Sequence, residues 1–314
     1  MSEQQKKISV LIPYHNSDGT IAETLSSIDA QGFEDVEIVI GDDHSSPKAR
    51  AALDALVLSR PNITIIDVDG RGPSAARNAA VKVATGKILC FLDADDCLRA
   101  GALQAYSMFL EMNPDIGIAF GRVRITPEPG EEGGIITPYC AIPTLAQIIG
   151  ENRVCTTSNI VVRKDAFHEI GGFDETLSHA EDQEWLARAY DNRKWKLAGM
   201  DQVTLDYRTS SGGLSSDLRK METGWRRMVL VVRQRTIFVT KDQIRESTGL
   251  FYRYLARRSL RLGHSRTDGI IFISRAVIAH PSLLKNELRR TWSTIIGSLA
   301  VFFFGSRHFG KLFH

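Results

Sequence analysis

Phe91-Leu-Asp-Ala-Asp-Asp96 sets three carboxylates within four residues at the end of an apolar run. Crowded carboxylates repel one another unless a cation sits among them. Hard oxygen donors at this density suit Mg²⁺ or Mn²⁺, which take one or two carboxylates plus water and substrate phosphates. Alone, the cluster also fits a strand-to-helix turn with Asp95 or Asp96 as a helix cap. A second acidic pair, Asp42-Asp43, follows another apolar run and argues against that simpler reading. A third cluster, Glu181-Asp182-Gln183-Glu184-Trp185, opens a helical pattern. Carboxylates there complement the helix dipole. One aimed into a cleft would instead take a proton from a hydroxyl within hydrogen-bond reach.

These side chains need strands to carry them. Residues 8–12 are an apolar run closed by Pro13, and residues 20–31 carry Ile21, Leu25 and Ile28 on one helical face. Residues 36–40 and 63–68 read as two further strands, with Pro47 opening the helix between them. Pro73 heads the next helix, and residues 88–92 form a fourth strand, almost continuously apolar, as strands covered on both faces are. This strand–helix alternation predicts a mostly parallel α/β sheet. Ligands of such sheets bind at the carboxyl ends of the strands. Those ends present Pro13-Tyr14-His15-Asn16, Asp42-Asp43-His44-Ser45-Ser46, Gly70-Arg71-Gly72 with Arg77-Asn78 beyond, and Asp93 to Asp96. Further on, a helix is expected over 100–112, strands over 116–120, 158–163 and 195–207, and a helix over 180–190. Residues 126–137 and 210–216 read as a loop and a flexible link, and everything beyond is helical in pattern.

Composition bounds the rest. With 314 residues, 43% hydrophobic and 24% charged, the chain is a folded protein of about two domains, which excludes fibrous and disordered classes. The polar residues 1–7 lack the apolar core of a secretory leader. Cys90, Cys97, Cys140 and Cys155 form no CxxC pair, so buried, reduced thiols are expected rather than a zinc site. There is no GxxxxGK[ST] loop, and Gly70-Arg71-Gly72 is not GxGxxG, so phosphate charge falls to a metal. The net charge of +2 conceals an asymmetry: residues 217–314 hold 19 Lys and Arg against 6 Asp and Glu, and residues 1–216 hold 20 against 31. Opposite signs point to different partners, a cation for the first part and an anionic surface for the second.

Five segments together resemble the family 2 glycosyltransferases of the GT-A fold: Ser9-Val-Leu-Ile-Pro-Tyr-His-Asn16, Asp42-Asp43, Ser74-Ala-Ala-Arg-Asn78, Phe91-Leu-Asp-Ala-Asp-Asp96 and Glu181-Asp-Gln-Glu-Trp-Leu-Ala-Arg188. The resemblance covers roughly residues 6–210 and implies a nucleotide-sugar-binding and catalytic domain over 1–216. It implies that Pro13, Tyr14 and Asn16 border the nucleotide, with Asp42 at base or ribose and Arg71 and Arg77 near the donor. Arg77 could equally brace the Asp-rich loop. Asp93 and Asp95 would be the DxD pair, with Asp95 the direct ligand of Mn²⁺ or Mg²⁺, and Asp182 the catalytic base of an inverting displacement. Glu181, Asp43, His179 and Arg188 stand in a second tier. His44 replaces a glycine common in the family, Ala100 a frequent proline, and residues 209–216 lack the histidine that sometimes completes metal coordination, leaving water or His179 for that place. UDP-sugar is the favoured donor, with GDP and dTDP open, and a saccharide or lipid-linked hydroxyl the acceptor, in surface polysaccharide or glycolipid assembly. The rivals are a nucleotidyltransferase and a catalytically inactive, membrane-docked scaffold.

Residues 217–314 fall outside the strong resemblance. Arginine clusters recur among apolar positions, and residues 291–306 run 16 residues without a charge, including Trp292, Ile296 and Phe302-Phe-Phe304. A spanning helix needs ~20 apolar residues, so the run is short for one. Arg289, Arg290, Arg307 and Lys311 flank it. Basic flanks with aromatics suit a helix lying in an anionic membrane interface, with bundle packing or an oligomer contact as alternatives. A cytoplasmic protein, peripheral at the inner face of the membrane, is expected. No nucleic-acid reader motif accompanies the charge.

Overall fold

Ile8–Tyr14 forms the first strand, β1, buried at every position but the half-buried Pro13. In this computed structural model, residues 7–127, 129, 134–209, 217–263 and 265–305 are described. The expected link 210–216, part of the loop 126–137, and the flanking Arg307 and Lys311 lie outside them. The chain divides into two units, Met1–Pro143 with Val154–Ser210, and Thr144–Arg153 with Ser211–His314.

The first unit opens with β1, α1 (Ile21–Asp29), β2 (Val36–Asp42), α2 (Pro47–Val57), β3 (Ile63–Asp67), α3 (Pro73–Val83) and β4 (Ile88–Phe91). β1 pairs in parallel with β2 and β4, and β2 with β3. Its apolar faces bury Val10, Ile12, Ile38, Ile40 and Cys90 against Ile21, Leu25 and Leu53 of the helices. Local chemistry fixes the helix starts. Ser46 accepts the Ala49 N–H at 3.3 Å and Pro47 fills the first turn of α2. α3 lies directly on β2: a Cβ on Gly41 would sit 2.8 Å from the Ala76 carbonyl oxygen, so only glycine permits this approach.

The second part of the unit brings β5 (Cys97–Leu98), α4 (Ala102–Met112), β6 (Ile116–Thr126), β7 (Ile135–Ile136), a 3-10 turn at Thr157–Asn159, β8 (Val161–Arg163), α6 (Lys164–Ile170), α7 (Glu181–Asn192) and β9 (Lys196–Arg208). The sheet order is β3-β2-β1-β4-β8-β6-β9-β5, with β7 against β6. β8 runs antiparallel to β4 and β6, and β6 runs parallel to β9. The parallel expectation therefore holds for the first four strands, and the remainder is mixed. Asp95 and Asp96 cap no helix, because β5 follows them and α4 starts after a left-handed Gly101.

α5 (Leu145–Glu151) belongs to the second unit, with α8 (Leu218–Arg235), α9 (Lys241–Leu262), α10 (Asp268–Ala279), α11 (Leu283–Asn286) and α12 (Leu288–Phe304). A single boundary at 216 misses this crossing segment. The reason is packing: Trp225 stacks on Phe251 with centroids 4.2 Å apart and donates from Nε1 to the Ile149 carbonyl at 2.7 Å. Among the described residues no helix is long and apolar enough to cross a membrane.

Candidate active site

An aromatic cluster sets the Asp93–Asp96 and Glu181–Glu184 segments beside each other. Phe91, two residues before Asp93, meets Phe173 edge-on at 5.1 Å, and Phe173 lies 5.6 Å from Trp185, three residues after Asp182. Phe167 stacks on Trp185 at 5.5 Å, and Trp185 Nε1 donates to the Gly171 carbonyl at 2.7 Å. Edge and offset contacts of this kind add about 0.5–1.5 kcal/mol per pair beyond area burial. The end of β4 and the start of α7 are thus fixed to one apolar base.

Arg77 of α3 joins the charges above that base. It is 3% exposed, its Nη2 donates to Asp93 Oδ1 at 2.5 Å and its Nη1 to Glu181 Oε1 at 3.0 Å, with the guanidinium over Phe173. Burial alone would lower its pKa, but Asp93 and Glu181 outweigh burial and hold it above the ordinary arginine value. Of the two readings of Arg77, the structure carries the brace. Ala180, just before Glu181, takes a left-handed backbone with φ of 59°, which costs a non-glycine residue about 1–2 kcal/mol. Asp182 is half-buried and its Oδ1 accepts the Gln183 N–H at 2.8 Å.

The Asp-rich turn is held from the other side by Arg208, at the end of β9. Its N–H donates to Asp96 Oδ1 at 2.9 Å, its Nε donates to the Asp95 carbonyl at 3.0 Å, and its Nη2 reaches Glu23. Asp96 is fully buried and its second oxygen has no hydrogen-bond partner among the described residues. Loss of water, then the charges of Asp95 and Asp93, push the Asp96 carboxyl well above the usual range. Asp95 is exposed, and desolvation in the crowded turn and the charge of Asp93 raise it too. Such a turn gains from a nearby cation.

A divalent ion would meet one accessible carboxylate in this turn. Asp95 offers an accessible hard oxygen, whereas Asp93 already gives one oxygen to Arg77. Among the described residues no three His, Cys, Asp or Glu side chains stand together as a ligand set. His179 Nε2 is shut off from solvent without a partner among the described residues, while its Nδ1 lies 3.1 Å from Ser178 Oγ.

The ends of β1 and β2 interlace. The Asp43 N–H donates to the Tyr14 carbonyl at 2.8 Å, His15 Nδ1 lies 2.6 Å from the Asp43 carbonyl oxygen, and the Ser46 N–H donates to Asn16 Oδ1 at 2.8 Å. Asp43 Oδ2 accepts the Gly72 N–H at 2.8 Å, and His44 Nε2 lies 3.0 Å from the Gly70 carbonyl oxygen. His44 has a φ of 54°, in the left-handed region where glycine is at home, which explains the glycine expected there.

Several expected site residues are placed differently. The Tyr14 side chain faces the core and its phenol donates to the Ala49 carbonyl at 3.0 Å, so Pro13, not Tyr14, is the accessible side chain at this strand end. Asp42 is 6% exposed, accepting from Arg50 Nη1 and the Ser45 N–H, each at 3.1 Å. Arg188 pairs with the fully buried Glu184 at 2.8 Å and donates to the Ile170 carbonyl at 2.7 Å, tying α7 to the end of α6. Arg71 stands exposed on its loop. Arg50 and Arg208 escaped the sequence reading. Arg208 closes a strand pattern like any surface arginine, and only strand pairing brings it to the Asp-rich turn.

With this geometry in view, the chain matches the family model for glycosyl transferase family 2 over residues 9–171. The chain belongs to glycosyl transferase family 2. This family 2 chain is 31% identical over 225 residues to the Escherichia coli UDP-Glc:alpha-D-GlcNAc-diphosphoundecaprenol beta-1,3-glucosyltransferase WfgD, covering 69% of this chain and 83% of that one. It is 31% identical over 153 residues to the Bacillus spizizenii poly(ribitol-phosphate) beta-glucosyltransferase, covering 39% of this chain and 24% of that relative. A Haemophilus influenzae uncharacterized glycosyltransferase is 26% identical over 187 residues, 58% of this chain and 61% of its own length. The chain thus spans less than two thirds of the last two relatives. Staphylococcus aureus TarS, residues 1–349 with UDP-GlcNAc, superposes with a TM-score of 0.62 at 18% identity over 97% of this chain and 92% of that one. That likeness establishes the GT-A type of fold for this family 2 member.

Proposed function

We propose that the protein is an inverting, metal-dependent glycosyltransferase that moves a sugar from a UDP-sugar to a hydroxyl of a lipid-linked saccharide. The Arg77 bridge between Asp93 and Glu181 carries this reading, because it ties the Asp-rich turn to the start of α7. The relatives WfgD and the Campylobacter jejuni GalNAc(5)-diNAcBac-PP-undecaprenol beta-1,3-glucosyltransferase (30% identical over 39% of this chain and 40% of its own length) support the acceptor class. WfgD, by its name, uses UDP-Glc.

Asp182 takes the proton from the acceptor hydroxyl as that oxygen attacks the anomeric carbon, and general-base assistance of this kind contributes about 10²–10⁴-fold. Arg77 holds Asp93 and Glu181 so that the acids keep their spacing through the displacement. Asp95 would hold Mn²⁺ or Mg²⁺, whose positive charge would offset the negative charge of the departing nucleoside diphosphate. The main-chain loops after β1 and β2, locked by Asp43 and Asn16, border the nucleotide. α12 rests on an anionic membrane: Leu288, Trp292, Ile296, Leu299 and Phe303 are exposed along one stripe, with Arg289 beside them. Its setting is then peripheral, at the cytoplasmic face.

Calorimetry with UDP, GDP and dTDP, with and without Mn²⁺, on wild type and Asp95→Asn tests the donor site. Metal-dependent binding of UDP that the variant loses is expected. Binding of no diphosphate, with or without Mn²⁺, would overturn the reading and leave an inactive scaffold.

A further inference from the structure

Arg253, Arg257 and Arg261 recur every four residues along one face of α9. The first of them is balanced. Arg253 is fully buried, donates from Nε to Glu151 Oε1 at 3.1 Å, pairs with Glu287 Oε2 at 2.9 Å and donates from Nη1 to Thr291 Oγ1 at 3.2 Å. Glu151 Oε2 also takes Arg290 Nη1 at 2.9 Å and Arg153 Nη2 at 3.4 Å.

One turn further the balance fails. Arg257 is half-buried, and among the described residues its Nη1 has only Thr294 Oγ1, at the 3.5 Å limit of a hydrogen bond. Thr294 donates its own proton to the Arg290 carbonyl at 2.6 Å, which leaves oxygen lone pairs toward Arg257. Arg153 Nε is buried without a partner among the described residues. Among the described residues, Glu151 and Glu287 are two carboxylates against the four guanidiniums of Arg153, Arg253, Arg257 and Arg290. Burial, then the charges of Arg290 and Arg261, hold the Arg257 guanidinium below its ordinary value, as expected of a cation in a net positive surrounding. Arginine does not lose its proton in proteins, so an anion is the available relief.

We propose that Arg257, with Arg290 and Arg153, binds a phosphate or diphosphate group between α5, α9 and α12. The planar guanidinium fork matches phosphate oxygens two at a time, and a dianion balances the two surplus charges. The group belongs either to a soluble phosphate compound or to a lipid headgroup. The site lies wholly within the second unit and stands apart from the donor-site reading.

The test uses the full chain in EDTA, titrated calorimetrically with pyrophosphate and with inorganic phosphate, for wild type and Arg257→Gln. In parallel, both proteins are sedimented with phosphatidylcholine vesicles carrying either phosphatidic acid or phosphatidylglycerol at equal mole fraction. Pyrophosphate binding that Arg257→Gln weakens about tenfold or more supports a soluble phosphate ligand. Preferential sedimentation with phosphatidic acid, lost in the variant, supports a headgroup phosphate. Without ligand the variant melts no lower than wild type, because it removes an unbalanced cation. Should it melt far lower, Arg257→Lys keeps the charge and loses the fork, and the same weakening is expected. No binding in either arm, or equal binding by wild type and variants, overturns the proposal. UDP binding with Mn²⁺, measured on each variant, reports separately on the first unit.

Discussion

Arg77 and Glu181 are 104 residues apart in the chain and are joined by a 3.0 Å hydrogen bond. The same guanidinium holds Asp93, so one buried cation from α3 joins the end of β4 to the start of α7. Arg77→Met leaves two carboxylates without their counter-charge. Breaking a buried pair by removing one partner costs about 3–5 kcal/mol. A Tm well below wild type is expected, with activity lost even at temperatures where the variant is folded. A variant that melts with wild type would show that the bridge contributes little.

Asp95 and Asp182 separate binding from chemistry. Asp182→Asn keeps the size of the side chain and removes the base, so turnover falls about 10²–10⁴-fold while UDP affinity in Mn²⁺ stays within about twofold. Asp95→Asn does the reverse first, weakening metal-dependent UDP binding. Parallel calorimetry and turnover on the two variants distinguish them.

Glu151 gives the second unit a pH dependence. Burial alone would raise its carboxyl, but Arg253, Arg290 and Arg153 outweigh burial and hold it below the ordinary value. A lowered carboxylate stabilises the fold above about pH 4.3, its unfolded value, and that contribution disappears as pH falls through the folded value. Glu151→Gln is therefore expected to cost about 3–5 kcal/mol at pH 7, and the gap to wild type should narrow below about pH 4. Urea denaturation of both proteins across pH 3–7 measures it, and a constant gap would refute the assignment.

At His44 two small effects oppose each other. Glycine would relieve the left-handed backbone by about 1 kcal/mol and lose a hydrogen bond of about the same size. His44→Gly should melt close to wild type, whereas β-branched His44→Val, which fits that backbone poorly, should melt several degrees lower.

The exposed stripe of α12 predicts a surface effect without a fold effect. Trp292→Ser with Phe303→Ser should leave Tm nearly unchanged, since both side chains are exposed. Sedimentation with anionic vesicles should fall at least several-fold. Unchanged sedimentation would point to a protein partner or another copy for this face.

Sequence alone determined the first four strands, their helices and the acidic segments at the strand ends. These depend on near-neighbour physics: an apolar run makes a strand, a 3.6-residue period makes a helix, and proline opens the helices at Pro47 and Pro73. It also separated the basic helical part by charge. What it left open is decided by contacts between residues far apart in the chain. Whether Arg77 faced the donor or braced the acids depended on where α7 packs. That packing is set by Phe91, Phe173 and Trp185 meeting from three segments. Arg208 reaches Asp96 across 112 residues only because β9 pairs with β6 and β5. α5 joins the second unit because Trp225 and Phe251 offer it a surface, which no local pattern around residue 145 records. Periodicity is written within a few residues of itself, whereas the partner of a buried charge is fixed by desolvation in the folded chain, and only the tertiary structure names it.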